Sequence, residues 1–141
     1  MVVTGANRGL GLEVVRQCAA DGDTVLLGSR DLAAGERAAA ELAAAGVPTG
    51  RVLPVELDVT DATGLVRLAA RLTGELGLDR IDVLVNNAAV HYDTWQNAAT
   101  DMGGAGGRPV ALGAASIRYA MDLPDGGPTS TFTRDGRPIP W

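Results

Sequence analysis

The segment Thr4-Gly5-Ala6-Asn7-Arg8-Gly9-Leu10-Gly11 indicates the fold of this chain more directly than any other. Counted from Gly5, its glycines stand at the first, fifth and seventh positions, between a short apolar run and a segment with helical periodicity. Such a turn suits a pyrophosphate, which must approach backbone N–H groups at a helix N-terminus where any Cβ would block it. The glycine pattern alone also occurs in ordinary turns. Its placement between a strand and an amphipathic helix is the stronger indication of nucleotide binding.

Apolar runs alternate with helical patterns around this turn, as far as residue 89. The predicted strands are Met1–Val3, Thr24–Gly28, Arg51–Leu57 and Ile81–Val85. The predicted helices are one with an apolar face of Leu12, Val15, Cys18 and Ala19, one over Ala33–Ala45 that Gly46 and Pro48 end, and one marked by Leu65, Leu68, Ala69 and Leu72. Strands and helices therefore alternate from the first strand to the fourth.

This alternation predicts an α/β fold. Apolar strands separated by helices imply parallel strands with helices on both faces of the sheet. Right-handed crossovers then favour an incomplete Rossmann-type sheet with strand order 3-2-1-4. Pro54 lies inside the third strand and cannot donate a ladder hydrogen bond, so that strand is expected at a sheet edge. The order 3-2-1-4 places it there.

The chain changes character beyond Ala89, where glycine and proline become frequent. We predict a dinucleotide-binding Rossmann half over residues 1–99 and a loosely attached C-terminal tail over residues 100–141. One helix is predicted in the tail from Pro109 to Asp122, and one short strand around Ser130–Thr133. The expected apolar side of that helix consists of Val110, Ala114, Ile117 and Met121.

Composition excludes several classes of protein. The chain is 46% hydrophobic with 19 glycines, which is typical of neither a disordered chain nor a membrane protein, and no apolar run approaches the ~20 residues of a membrane helix. The first residues lack a basic region and a cleavage site, so no signal peptide is expected. The net charge is −5 and the arginines are scattered, which argues against nucleic acid as a partner. A single cysteine excludes an internal disulfide and a Cys-based metal site. We therefore expect a soluble cytoplasmic protein without a metal.

The end of the second strand bears on cofactor choice. An NAD site places Asp or Glu about twenty residues past the glycines to hold the ribose hydroxyls. This chain has Ser29 and Arg30 there, and an arginine can bind a 2′-phosphate with two hydrogen bonds. Arg8 could reach the same phosphate. The pattern favours NADP(H), although Asp31 could weaken the preference. The alternative is that Arg8 and Arg30 are ordinary solvated surface residues.

Two further motifs carry a family resemblance. Leu57-Asp58-Val59-Thr60 follows the third strand, and Asn86-Asn87-Ala88-Ala89 follows the fourth. With the glycine turn, in this order and spacing, they resemble the classical short-chain dehydrogenases/reductases, and the carbonyl-reductase-like branch in particular. The resemblance covers residues 1 to about 97. One departure is Ala89, where the family often has glycine.

The resemblance implies roles for particular residues. Gly5, Gly9 and Gly11 would form the turn against the phosphates, with Asn7, Arg8 and Leu10 lining it, and Arg30 would hold the 2′-phosphate. Asp58 would bind the adenine amine, Val59 would pack beside the ring, and Asn86 and Ala88 would contact the ribose on the nicotinamide side. Simpler interpretations remain open: Asp58 could be a helix N-cap, and Asn86 with Asn87 could form a plain turn.

The residues of the family reaction are missing. In the family a Tyr acts as general acid, its pKa lowered by a Lys four residues later, and a Ser orients the substrate. Here Gln96 follows Tyr92 at that spacing, Leu123 follows Tyr119, and the chain contains no Lys. No catalytic residue is therefore predicted. The tail resembles the extreme C-terminus of the same branch, so the resemblance implies a reductase without its catalytic middle segment.

Four interpretations follow from these observations. The chain could be a truncated homologue that binds NADP(H) and does not itself catalyse carbonyl reduction or alcohol oxidation. It could be an inert deletion product or gene-model artefact without cofactor affinity. It could be an interaction module whose exposed sheet edge mediates self-association or pairing with a full-length relative. It could also be an active reductase that uses substitute residues.

Overall fold

The computed structural model describes residues 1–89, 109–124, 132–134 and 136–139. In chain order the elements are β1 (Val2–Val3), α1 (Gly9–Ala20), β2 (Val25–Ser29), α2 (Leu32–Ala44), a 3-10 turn (Thr49–Arg51), β3 (Val52–Glu56), α3 (Ala62–Gly74), β4 (Leu84–Val85), α4 (Val110–Met121), β5 (Phe132–Arg134) and β6 (Arg137–Ile139). None of the described helices is long and apolar enough to cross a membrane.

Strands β1 to β4 form one parallel sheet in the order β3-β2-β1-β4, which confirms the predicted topology. Strand β3 lies at an edge, and its Pro54 is in register with Leu27 of β2. A proline is tolerated there because an edge strand uses only one side of its backbone for the ladder.

Each face of the sheet has its own apolar core. Helices α1, α2 and α4 contribute to one cluster with Val3, Val25, Leu27 and Val85 of the sheet. Helix α3 contributes Leu72 to a second cluster with Val2, Leu26, Val55 and Leu57. Burying each of these side chains stabilises the fold by roughly 1.5–3 kcal/mol. Among the described residues α3 is the only helix that contributes to the second cluster, so the two faces are covered unequally there.

Helix α4 occupies nearly the predicted range. It packs against the first cluster more closely than the expected loose attachment implies. Ala114 is completely buried in the first cluster, and the side-chain amide of Gln17 on α1 donates to the Ala111 carbonyl at 3.3 Å. Arg118 forms ion pairs with Asp21 and Asp122. Gln17 and Ala111 are 94 residues apart in the sequence, and Asp21 and Arg118 are 97 residues apart. Local sequence patterns could not show contacts over such separations.

Two predicted strands differ from the structure. The short strand expected around Ser130–Thr133 is part of an antiparallel pair of β5 and β6, with Gly136 at the turn in a left-handed conformation (φ 75°). Ser130 and Thr131, the first half of the predicted range, lie outside the described residues. Strand β4 covers only Leu84–Val85 rather than Ile81–Val85, because its partner β1 offers two residues, Val2 and Val3, for pairing.

Candidate nucleotide-binding site

The predicted binding residues follow the carboxyl ends of all four parallel strands. Gly5 lies just beyond β1, Arg30 just beyond β2, Asp58 beyond β3 and Asn86 just beyond β4. The chain leaves β1 toward β2 and β3 and then returns to the other side of β1 as β4. In open α/β sheets, ligands bind outside the carboxyl ends of the strands at such a reversal of strand order.

The glycine turn has a backbone conformation that favours glycine at two positions. Gly5 and Gly9 have φ values of 60° and 57°, in the left-handed region that favours glycine. Helix α1 begins at Gly9, and Arg8, at its N-cap position, makes no side-chain cap hydrogen bond. The first turn of α1 thus presents backbone N–H groups and the positive end of the helix dipole without a capping side chain, which suits an anion.

Two of these glycines are also needed for packing inside the protein. A Cβ on Gly5 would lie 3.0 Å from Cα of Ala88. A Cβ on Gly11 would lie 2.4 Å from Nδ2 of Asn87 and 3.0 Å from the Gly5 carbonyl oxygen. The absence of a side chain at Gly11 therefore lets α1 approach the loop after β4. This requirement is separate from the phosphate approach inferred from the sequence.

A set of hydrogen bonds joins the glycine turn to the loop after β4. The buried Thr4 hydroxyl accepts from the backbone N–H groups of Asn87 (3.0 Å) and Ala88 (2.9 Å) and donates to the Val85 carbonyl (3.3 Å). The Asn87 side-chain amide donates to the carbonyls of Thr4 (2.9 Å) and Gly5 (3.1 Å). Asn87 therefore joins two loops, and its N–H also contacts the Val85 carbonyl at 3.0 Å within a local turn.

Sequence reasoning did not assign Thr4 or Asn87 to the site. Both adjoin residues that it did assign, since Thr4 precedes the first glycine and Asn87 lies between Asn86 and Ala88. Asn86 and Ala88 are both exposed and therefore accessible to a ligand. Their contacts with a ribose remain predictions.

The ends of β2 and β3 form the other side of the site. The Leu57 N–H donates to the Ser29 carbonyl at 2.8 Å, so the residues after both strands are held side by side. Arg30 is exposed directly after the buried Ser29. Val59 is 48% exposed, which leaves an apolar side chain accessible to a flat ring. This arrangement brings Arg30, Asp58 and Val59 together at the carboxyl ends of β2 and β3.

The Asp58 carboxylate is held in its ionised form. Its Oδ1 accepts hydrogen bonds from the Thr60 N–H (2.9 Å) and the Thr60 hydroxyl (2.7 Å). These bonds, backbone first, and the nearby Arg30 cation lower the pKa of the Asp58 carboxyl from its ordinary value. The alternative of Asp58 as a helix N-cap is wrong, because Asp61 occupies the N-cap position of α3. Asp58 instead lies at the start of the turn that precedes α3.

Other reactive groups lie away from this site or outside the described residues. Cys18 is buried in α1, and burial raises the pKa of its thiol, which keeps it neutral. Tyr119 lies on α4 and approaches Gly136 of the hairpin turn. Tyr92 and Gln96 fall outside the described residues. Within the described ranges no three His, Cys, Asp or Glu side chains are grouped as metal ligands.

Replacing Thr4 with valine is expected to reduce the free energy of unfolding by about 1–2 kcal/mol. Valine preserves the shape but removes the acceptor of the Ala88 N–H, which is then left without its partner. Urea unfolding followed by circular dichroism measures the change. Thr4→Ser retains the hydroxyl and serves as the control, with a smaller expected loss. Equal losses in the two variants would mean that the methyl group, not the hydroxyl, matters.

Comparison with known proteins identifies the family of the chain. The family model "short chain dehydrogenase" matches residues 1–103. The chain is 44% identical over 89 residues to Short-chain dehydrogenase/reductase 1 of Saponaria officinalis, a match that covers 63% of this chain and 29% of the relative. It is 41% identical over 93 residues to (+)-neomenthol dehydrogenase of Arabidopsis thaliana, covering 63% and 30%.

Solved structures give a similar result. Menthone neomenthol reductase from Mentha piperita superposes with a TM-score of 0.56 at 37% identity, over 63% of this chain and 31% of the reductase. A metagenomic short-chain oxidoreductase in complex with NADP superposes with a TM-score of 0.53 at 35% identity, over 63% and 38%. The matched part of the chain thus spans about a third of the length of these proteins.

Proposed function

Because this chain belongs to the short chain dehydrogenase family, we propose that the site at the carboxyl ends of its parallel strands binds NADP(H). The glycine turn with Asn7, Arg8 and Leu10 would hold the pyrophosphate at the N-terminus of α1. Asp58 would accept a hydrogen bond from the adenine amine, and Val59 would pack beside the ring. Asn86 and Ala88 would contact the ribose next to the nicotinamide. When bound, the nicotinamide supplies a hydride donor or acceptor.

The position of Arg30 is the observation that carries the proposal of NADP(H) rather than NAD(H). Arg30 is exposed immediately after β2, where a 2′-phosphate on the adenosine ribose would lie. The nearby Asp58 uses one carboxylate oxygen, Oδ1, for its two hydrogen bonds with Thr60. A guanidinium at this position would attract a phosphate with charge-assisted hydrogen bonds. The NADP complex of one structural relative is consistent with this assignment.

The pattern of residues further supports a chain that binds the cofactor without completing the family reaction. No lysine is present in its sequence, so neither Tyr92 nor Tyr119 can have the cationic partner that lowers a phenol pKa in the family. We therefore propose that this chain alone does not catalyse carbonyl reduction or alcohol oxidation. The cytoplasm, where NADPH is available, is the proposed location.

Calorimetric titration with NADPH and, separately, NADH tests the proposal. We expect saturable binding at one site, with NADPH bound about tenfold or more tightly, because a phosphate–arginine contact adds roughly 1.5–3 kcal/mol. Circular dichroism of the same sample establishes that the protein is folded. No heat from folded protein, or equal affinity for the two nucleotides, would contradict the proposal. NADPH oxidation that depends on an added carbonyl compound would contradict the absence of catalysis.

A further inference from the structure

One row of side chains runs across the second face of the sheet and is only partly covered. The parallel register places Leu53, Leu26, Val2 and Leu84 next to one another on β3, β2, β1 and β4. Leu26 and Val2 are buried, and Leu53 packs against the cluster to which α3 contributes. Leu84, at the end of the row, is 57% exposed. Helix α3 therefore does not extend its cover to β4.

The first face shows no such gap at β4. Val85 follows Leu84, points to the opposite face and is buried in the cluster to which α1 and α4 contribute. Within the part of the chain that the structure describes, β4 is thus covered on one face only, and the side chain on its other face is a leucine. A leucine in this position gains stability when another apolar surface covers it.

Backbone groups of β4 also point outward, away from β1. The carbonyls of Val83 and Val85 accept from the N–H groups of Val2 (2.9 Å) and Thr4 (3.0 Å) on β1. Because backbone groups alternate in direction along a strand, the N–H and C=O of Leu84 point away from β1. Among the described residues, no strand pairs with this side of β4. Such an edge is a template for another strand.

Strand β3, at the opposite edge of the sheet, cannot be the strand that pairs with β4. Strand β3 carries Pro54 at its centre, and proline both lacks an N–H and is a common device against edge pairing. Successive copies therefore cannot stack β3 on β4 into an open filament. The β4 edge can pair with the same edge of a second copy, which closes the assembly about a twofold axis.

We propose that two copies of this chain associate through antiparallel pairing of their β4 strands, centred on Leu84. The N–H of each Leu84 would donate to the C=O of the other, and the two leucine side chains would cover each other on the second face. In this register Asp82, which is ion-paired with Arg80 at 2.8 Å, lies opposite the Asn86 amide of the second copy. A register centred on Asp82 would place each Leu84 opposite Arg80 of the other copy, which leaves the leucines without apolar cover. The two four-stranded sheets would join into one.

Sedimentation velocity over a wide range of concentration, without cofactor, tests this association. The expected result is a reversible transition from one chain to two. Leu84→Glu should weaken the association by at least about tenfold, because it removes the apolar contact and opposes two carboxylates. Leu84 is exposed in the single chain, so the variant is expected to fold normally, as circular dichroism and urea unfolding will show. Leu112→Glu is the matched control, since Leu112 is 55% exposed on α4, and it should leave the association unchanged.

Hydrogen exchange distinguishes strand pairing from general apolar contact. The Leu84 amide should exchange more slowly at concentrations where two chains associate, and this protection should be lost in Leu84→Glu. A single chain at every concentration would overturn the proposal. Association that Leu84→Glu does not weaken, or assembly that continues beyond two chains, would also overturn it. None of these results depends on whether NADPH binds.

Discussion

Replacing Gly11 with alanine is expected to destabilise the protein by about 3 kcal/mol, although alanine is normally the better helix former. The added Cβ would lie 2.4 Å from Nδ2 of Asn87 and 3.0 Å from the Gly5 carbonyl oxygen. Asn87 cannot move aside without losing its hydrogen bonds to the Thr4 and Gly5 carbonyls. The cost combines overpacking, typically about 1–3 kcal/mol, with about 1 kcal/mol for each lost hydrogen bond.

The matched control is the same substitution at Gly74, the last residue of α3. A Cβ there would meet nothing within 4 Å. Gly74→Ala should therefore be neutral or stabilising by up to about 1 kcal/mol, from helix propensity and the lower entropy of the unfolded chain. Urea unfolding of both variants gives the comparison. If Gly11→Ala were as stable as Gly74→Ala, the close approach of α1 to the loop after β4 would be refuted.

The same Gly11→Ala variant should also weaken NADPH binding if the proposed site is correct. Its effect would come through the displaced glycine turn, because Gly5 and Asn87 are fastened together by a hydrogen bond of 3.1 Å. A stability loss without a change in affinity would mean that the turn keeps its shape when Asn87 is displaced.

Replacing Arg30 with alanine is expected to weaken NADPH binding by about 10- to 100-fold while leaving NADH binding nearly unchanged. A hydrogen bond between charged groups contributes roughly 1.5–3 kcal/mol, and each 1.4 kcal/mol corresponds to about tenfold in affinity. NADH has no 2′-phosphate and so has nothing to lose at this position. Because Arg30 is exposed, the stability of the fold should not change.

Arg71→Ala is the matched control for Arg30→Ala. Arg71 is a half-exposed arginine paired with Glu75 at 3.0 Å near the C-terminal end of α3. A crossover helix runs antiparallel to the strands it joins. This end of α3 therefore lies near the amino ends of the strands, away from the proposed site at their carboxyl ends. Calorimetric titration with both nucleotides should show no change in Arg71→Ala. An equal loss of NADPH and NADH affinity in Arg30→Ala would refute a specific 2′-phosphate contact.

Local patterns were sufficient to predict the order of elements as far as β4 and the topology of the parallel sheet. The spacing of apolar residues distinguishes a strand from a helix, and right-handed crossovers between alternating strands and helices favour the order β3-β2-β1-β4. Pro54 indicated the edge because its missing N–H is a property of the residue itself. The glycine turn could also be recognised from the sequence. The positive φ values that the structure has at Gly5 and Gly9 depend on local backbone sterics, which glycine relieves.

Contacts between distant residues could not be inferred in the same way. The Thr4 hydroxyl bonds to backbone groups 83 and 84 residues away, and Gln17 of α1 bonds to Ala111 of α4 across 94 residues. Periodicity shows which face of an element is apolar, but it does not show which other element covers that face. The seat of α4, the packing reason for Gly11 and the exposure of Leu84 all depend on how the elements pack in three dimensions, because each results from atoms brought together only by the folded chain.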